Sequence, residues 1–372
     1  MLEEHAGYLS DGRRTELFRA AVTAAVKPGD VVADLGCGTG ILGLMCLQAG
    51  AARVHAIDSG PIVHVARETF RREGFADRAT VIRGITHRIE LPEKADLLVC
   101  DHVGYFGFDY GLLRLLDDAR RRFLKPGGRI VPTRLDLGLV PVESPEDWTK
   151  ASRWQRPPVP PAYGWVAQSS LNTKHSVSLG RPALLAEPLI CLSLSLLEPA
   201  PEVLKLEARF RVTRTGTLHG LAGFFDCELF AGHRMTNRPG AEGATERPQA
   251  FLPLVTPASV SGGEEIVVTV TARPADDLIA WDVRLPAQGL KIRQSTLEGL
   301  LIGPEDRRRL DPSHRPRPSA DAEARMIVLD LCDGTRSADE IAAEVLRRHP
   351  TLMPEEAEIR RFVARVIEND TT

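Results

Sequence analysis

The chain has 372 residues, more than one ordinary domain needs, so we expect two or three domains. Apolar residues make up 43% and charged residues 26% of it, which indicates a folded globular protein. The net charge of −3 argues against nucleic-acid or membrane-surface partners.

Residues 1–5 are acidic and contain no apolar core, so we predict no secretory signal. The six cysteines are scattered and contain no Cys-x-x-Cys pair. Such spacing argues against a zinc site and favours reduced thiols, which predicts a cytoplasmic protein without a bound metal.

The segment from residue 31 to residue 134 alternates β-branched runs with amphipathic stretches. The predicted strands are 31–34, 54–58, 80–82 and 97–100, and the helix candidates between them include 40–49 and 62–72. This alternation predicts a Rossmann-like α/β domain, in which helices cover both faces of a parallel sheet.

The character of the sequence changes after this domain. Residues 143–165 are rich in proline, which predicts a loop or an arm rather than a regular element. Apolar residues at every second position then predict an antiparallel sheet or barrel. They are Leu192, Leu194 and Leu196; Leu204, Leu206, Ala208 and Phe210; and Ile266, Val268 and Val270.

A proline- and arginine-rich linker at 311–318 precedes three helix candidates. Ser337 and Glu340 fit a capping box in front of Ile341, and Asp333-Gly334 is expected to end the preceding helix. We therefore predict a small C-terminal helical or winged-helix domain. The predicted domains are 1–134, 135–298 and 299–372.

The most informative stretch is DLGCGTG at 34–40, at the first strand-to-helix turn. A dinucleotide motif, Gly-x-Gly-x-x-Gly, would need its third glycine at position 41, where Ile41 stands. Asp34 suits the ammonium of a methionyl group better than a pyrophosphate. Asp58 ends the second strand, where a carboxylate can bind both ribose hydroxyls. Together these features favour S-adenosylmethionine over a nicotinamide cofactor.

These residues resemble a known family, the protein arginine methyltransferases, through both the cofactor domain and the β-rich domain. DLGCGTGIL at 34–42 is similar to the family's cofactor loop, and DHVGY at 101–105 to the Glu-Trp-Met-Gly-Tyr that opens its substrate loop. Residues 223–226 and 245–249 resemble its barrel segments. The resemblance implies S-adenosylmethionine as cofactor and an expected homodimer. The implied cofactor-binding residues are Arg14, Asp34, Gly36, Gly38, Gly40, Asp58, Ser59, Thr86, His87 and Asp101.

The sequence also departs from this family. The family holds a guanidinium with two glutamates nine positions apart, whereas here Asp101 is followed at that spacing by Tyr110, with Asp109 beside it. Its Thr-His-Trp is replaced by Thr-Glu-Arg at 245–247, and its acid at the adenine amine by His87.

Three residues are candidates for acceptor chemistry. Carboxylates such as Asp101 and Asp109 can fix a guanidinium and accept its proton after methyl transfer. Asp109 can instead cap the helix predicted near Gly111. His102 can act as a general base for a neutral amide, imidazole or hydroxyl, or can simply pack.

Residues 327–341 are similar to the helical half of PqqD-like domains, which bind leader peptides of ribosomally made peptide natural products. The alternative is a generic three-helix or winged-helix module. The resemblance predicts that residues 320–368 dock a precursor peptide whose core is then methylated.

The sequence leaves three functions open. The first is an S-adenosylmethionine-dependent N-methyltransferase acting on a peptide or protein side chain. The second is a methyltransferase of a small natural-product intermediate, and the third is a non-catalytic peptide-binding scaffold.

Overall fold

A computed structural model describes residues 2–371, apart from the side chain of residue 369. The chain forms two compact units, the first ending at Leu300 and the second beginning at Leu301. None of the helices within the described residues is long and apolar enough to cross a membrane.

The first unit opens with a five-stranded sheet in which every neighbouring pair of strands is parallel. Its strands are β1 (Val31–Leu35), β2 (Arg53–Asp58), β3 (Ala79–Arg83), β4 (Ala95–Cys100) and β5 (Leu124–Val131). The accompanying helices are α1 (Leu2–Ser10), α2 (Gly12–Ala25), α3 (Ile41–Gln48), α4 (Val63–Arg72) and α5 (Leu112–Arg122). The predicted parallel sheet is confirmed.

The strand order β3-β2-β1-β4-β5 determines where a ligand can bind. The order reverses between β1 and β4, so the connections that leave these two strands diverge at their carboxyl ends. All five residues of β1 are buried, as its β-branched start predicts for a central parallel strand. A crevice therefore opens where β1, β2 and β4 end.

Two antiparallel sheets complete the first unit. Their strands are β6 (Arg134–Val142), β7 (His175–Val177), β8 (Leu189–Ser195), β9 (Leu204–Arg211), β10 (Gly216–Phe230), β11 (His233–Thr236), β12 (Gln249–Val260), β13 (Glu265–Arg273), β14 (Leu278–Leu285) and β15 (Leu290–Ser295). One sheet runs β7-β12-β10-β6-β8, with β11 on β10, and the other β15-β14-β13-β9. The predicted antiparallel β-rich segment is confirmed, and its core is continuous with that of the parallel sheet.

The prediction that residues 143–165 lack regular structure is wrong at their start. Helix α6 (Pro145–Ala151) begins there, with Pro145 in the first turn, where its missing N–H costs no helical hydrogen bond. Short 3-10 turns follow at Arg153–Gln155 and Pro161–Tyr163. The remaining helices of this unit are α7 (Val166–Leu171) and α8 (Thr296–Gly299).

The second unit has its own apolar core, in which Val328, Val345 and Ile359 are buried. Its helices are α9 (Pro304–Arg309), α10 (Ala320–Leu329), α11 (Ala338–Arg348) and α12 (Glu356–Asp370). Residues 301–371 contain no strand, so the winged-helix alternative is not confirmed.

Two predictions about helix ends in this unit have different outcomes. The capping box of α11 is confirmed, because Ser337 N–H donates to Glu340 over 2.7 Å and Glu340 N–H donates to Ser337 Oγ over 3.3 Å. The predicted stop at Asp333-Gly334 is wrong, because α10 already ends at Leu329. Asp333 instead accepts from Thr335 N–H at 3.0 Å, which forms a separate turn.

Candidate cofactor and acceptor site

A cleft of about 390 Å³ lies at the carboxyl ends of β1, β2 and β4. The predicted site residues that line it are Arg14, Asp34, Gly36, Gly38, Asp58, Asp101 and His102. A cavity of about 210 Å³ shares Gly36, Asp58 and His102 with the cleft and adds Ser59 and Thr86. Three predicted residues line neither space: Gly40 precedes α3, the side chain of His87 is exposed, and Asp109 lines a separate cavity with Lys174.

The glycine turn after β1 requires glycine for two physical reasons. Gly36, Gly38 and Gly40 have φ angles of +66°, +53° and +82°, which side chains disfavour. A Cβ at Gly36 would also collide with the His102 ring, and one at Gly40 would lie 3.0 Å from Phe70. The turn thus brings bare backbone to the edge of the cleft.

Asp34 is a fully buried carboxylate with one free oxygen. Its Oδ2 accepts from Gly43 N–H at 2.8 Å, whereas Oδ1 has no partner among the described residues. Burial raises the pKa of Asp34 to about 7, and the negative charges of Asp58 and Asp101 add to that rise. An oxygen buried without a donor is costly, so Oδ1 is suited to a cationic donor from a ligand.

Asp58 is held by the backbone of two turns. Its Oδ2 accepts from Gly38 N–H at 2.9 Å, and its Oδ1 accepts from Gly60 N–H at 2.8 Å. Each carboxylate oxygen can accept more than one hydrogen bond. Asp58 is therefore fixed in orientation and still able to accept from two hydroxyls in the cleft.

Asp101, just after β4, lies between two guanidinium groups. Arg14, in the first turn of α2, donates to Oδ2 through Nε. Arg247, from the segment before β12, donates through Nη2 to Oδ1 and Oδ2 over 2.8 and 2.7 Å. Arg247 also donates to the Gly104 carbonyl at 3.2 Å. The Asp101 side chain is only 8% exposed, so these pairs are largely shielded from water.

Asp109 is paired in a similar way. Its Oδ1 forms an ion pair with Lys174, and its Oδ2 accepts from the backbone N–H groups of Tyr105 and Phe106. Asp109 therefore stabilises its own loop through these bonds and does not cap α5. The neighbouring Tyr110 is 50% exposed and lines the cleft, the second cavity and a third cavity beside Lys174.

His102 lies over the glycine turn, with Nδ1 3.3 Å from Cys100 Sγ. Burial lowers the pKa of His102, and this effect outweighs the opposing charges of Asp101 and Asp58. The imidazole is thus neutral near pH 7, the form that can accept a proton.

Sequence reasoning missed several residues of this site. Arg247 and Lys174 pair with the candidate carboxylates, and α1 contributes Glu4, His5 and Tyr8 to the cleft. Burial raises the pKa of Tyr8 to about 12, and the adjacent Tyr110 adds to that rise. One signal was available, because an arginine replaces the aromatic residue of the resembled Thr-His-Trp.

Comparison with known proteins gives a domain and a set of relatives. Residues 32–128 match the family described as "Methyltransferase domain". A probable protein arginine N-methyltransferase 6 of Arabidopsis thaliana is 36% identical over 39% of this chain and 34% of its own length. Protein arginine N-methyltransferase 1 of Chlamydomonas reinhardtii is 28% identical over 73% of this chain and 80% of its own length. The chain thus spans about a third of the length of the first of these relatives.

The fold has counterparts among solved structures. The Trypanosoma brucei PRMT1 enzyme–prozyme heterotetrameric complex with AdoHcy matches with a TM-score of 0.70 and 21% identity, over 79% of this chain and 98% of that chain. Arabidopsis thaliana protein arginine methyltransferase 10 matches with a TM-score of 0.68 and 20% identity, over 80% of this chain and 98% of that chain. At these identities the likeness shows the fold. Together the comparisons confirm the predicted methyltransferase domain and the resemblance to protein arginine N-methyltransferases.

Proposed function

We propose that the chain is an S-adenosylmethionine-dependent N-methyltransferase that acts on a side chain of a peptide or protein. One observation carries this proposal: the glycine turn, Asp34 and Asp58 meet in a single cleft with Asp101 and His102. The relatives named arginine N-methyltransferases and the neighbour solved with AdoHcy support the same cofactor and reaction.

The residues of the cleft fit this cofactor. Asp58 would accept from the two ribose hydroxyls, and the free Oδ1 of Asp34 would accept from the methionyl ammonium. Arg14 would turn from Asp101 to the methionyl carboxylate, while Ser59 and Thr86 would border the adenine. A contact between the exposed His87 and the adenine remains a prediction. When bound, the cofactor supplies an electrophilic methyl group on sulfur.

Catalysis would come chiefly from positioning, because methyl transfer from a sulfonium is an in-line displacement. Asp101 fixes Arg247 at the acceptor end of the cleft. His102 would accept the proton that the acceptor nitrogen loses. Asp109 holds the 105–109 loop in place through its bonds to the backbone.

The cofactor assignment is tested by calorimetric titration with S-adenosylhomocysteine. We expect one site per chain and at least about tenfold weaker binding by Asp58→Asn, because an amide cannot accept both hydroxyls through two oxygens. Asp77→Asn, on the exposed turn before β3 at the opposite end of the sheet, is the matched control and should bind as wild type. Equal affinity of wild type and Asp58→Asn would contradict the assignment.

We further propose that the second unit recognises the substrate peptide, as its resemblance to PqqD-like domains implies. It has an apolar core of its own, and α10 exposes Met326 and Leu329, which are 52% and 37% exposed. Unpartnered apolar side chains on a helix are a common basis for peptide docking. Homodimerisation and a cytoplasmic location also stay predictions.

A non-catalytic scaffold is the competing function, and one observation favours it: both candidate acceptor carboxylates are already paired with cations of the chain. The two functions differ in turnover. Transfer of a labelled methyl group from S-adenosylmethionine to any peptide, abolished by His102→Ala, would rule the scaffold out.

A further inference from the structure

The acceptor side of the cleft has the charge pattern of a site that excludes cations. We infer that the acceptor is an uncharged side-chain nitrogen, of an amide or an imidazole, because Arg247 and Lys174 occupy the two carboxylates that a guanidinium or ammonium would need. This inference rests on the proposed methyltransferase function and specifies its substrate class.

Asp101 has little capacity left for another guanidinium. Arg247 donates to both Oδ1 and Oδ2, so both oxygens stay bonded when Arg14 turns to the cofactor. An incoming guanidinium binds best through two parallel hydrogen bonds to both oxygens. It would have to displace Arg247, whose side chain is 9% exposed and also bonds to the Gly104 carbonyl. The displaced guanidinium would lose both partners inside the protein.

Asp109 is also unavailable to an incoming cation. Its side chain is 2% exposed, and it accepts from Lys174 and from two backbone N–H groups. Lys174 Nζ also lies 4.8 Å from the centre of the Tyr105 ring. The aromatic face that could attract a cationic acceptor is therefore occupied by a cation of the chain itself.

The other carboxylates around the site do not provide a binding site for a cationic acceptor. Asp34 and Asp58 face the glycine turn, where the cofactor is proposed to bind. Glu4 on α1, and Asp276 and Asp277 beside Lys174, are exposed, so water and salt screen them. With Arg14 turned to the cofactor, Arg247 and Lys174 still balance the two carboxylates, so the acceptor end keeps no net negative charge that would attract a cation.

An uncharged acceptor needs a group to take its proton, and His102 is placed to do so. The acceptor lone pair would form the new bond to the methyl carbon as the carbon–sulfur bond breaks, and its electron pair would stay on sulfur. The N–H proton would pass to the neutral imidazole of His102, which lines the cleft next to Asp101. The products are the methylated side chain, S-adenosylhomocysteine and an imidazolium.

The test compares two peptides that differ at a single group, the charged C=NH2+ of arginine and the neutral C=O of citrulline. Acetyl-Gly-Gly-X-Gly-Gly-amide, with arginine or its uncharged isostere citrulline at X, is titrated into the protein saturated with S-adenosylhomocysteine. We expect wild type to bind the citrulline peptide at least about tenfold more tightly, and Arg247→Met to shift this ratio about tenfold towards arginine. Thermal unfolding of each variant verifies that it is folded.

Arg129→Met is the matched control, because Arg129 also forms a shielded pair, with Asp30 at 2.7 Å, but at a site remote from the cleft. Its peptide ratio should equal that of wild type. Tighter binding of arginine by wild type, an unchanged ratio in Arg247→Met, or no binding of either peptide by that variant would each overturn the inference. Failure of the preceding titration with S-adenosylhomocysteine would instead count against the proposed function.

Discussion

Asp34 shows how burial alone changes what a carboxylate can do. Its only hydrogen bond within the described residues comes from Gly43, and no cation contacts its free oxygen. Burial therefore raises its pKa to about 7, above the ordinary value of 3.8. Because the folded-state pKa is the higher one, Asp34 contributes stability at acid pH that is lost as the pH rises through 7.

This pKa predicts how ligand affinity depends on pH. Only the ionised carboxylate can pair with the methionyl ammonium, so the binding of S-adenosylhomocysteine should be about tenfold weaker at pH 6 than at pH 8. Asp34→Asn cannot titrate and should bind weakly at both. Calorimetry at pH 6, 7 and 8 measures this, and a pH-independent affinity of wild type would contradict the role of Asp34.

At the scale of elements, the turn between β1 and α3 connects the fold to the site. Its glycines adopt left-handed backbone angles, and His102 after β4 packs directly on Gly36. The turn and the residues after β4 thus pack against each other. A substitution at Gly36 should therefore alter the position of His102, and a substitution at His102 should alter the turn.

Gly36→Ala should destabilise the protein by roughly 1–3 kcal/mol and weaken binding of S-adenosylhomocysteine, because the added methyl group meets both a strained φ and the His102 ring. Adding His102→Ala should restore the stability lost through the collision with the ring, but not the stability lost through the strained φ at position 36. Thermal unfolding and calorimetry measure the two effects.

The control for this pair is Gly12→Ala, where a Cβ meets nothing within 4 Å. Its stability should change by no more than about 0.5 kcal/mol. If Gly36→Ala behaved like this control, the proposed fit between the turn and His102 would be wrong.

Local sequence signals predicted most elements but not the pairing of charges. β-branched runs marked β1 to β4, and Ser337 with Glu340 marked the start of α11, since each signal acts over a few residues. Arg247 contacts Asp101 although the two are 146 residues apart in the sequence, and Lys174 and Asp109 are 65 residues apart. Such pairs depend on the tertiary fold and leave no periodic pattern in the chain.

The molecule as a whole divides its cores between two units, one ending at Leu300 and the other starting at Leu301. The sequence placed this border at 298/299, where the linker composition changes. It also placed a border at 134/135, which falls inside β6, directly after its first residue Arg134. There the parallel and antiparallel sheets share one core, so the two predicted domains form one compact unit.

This division predicts the effect of removing residues 301–372. The truncated chain should keep its affinity for S-adenosylhomocysteine and the unfolding midpoint of the first unit. With a peptide substrate that the second unit docks, KM should rise while kcat stays nearly constant, because only the local substrate concentration is lost. Steady-state kinetics of both chains check this, and an equal KM would contradict peptide docking by the second unit.

The most direct test of the whole account is a crystal structure of the protein with S-adenosylhomocysteine. We predict that the ribose hydroxyls bind Asp58, that the ammonium lies against Asp34 Oδ1, and that the sulfur faces the side of the cleft formed by Asp101 and His102. A ligand bound elsewhere, or a cleft that stays empty at saturating ligand, would contradict the proposal that this chain transfers methyl groups.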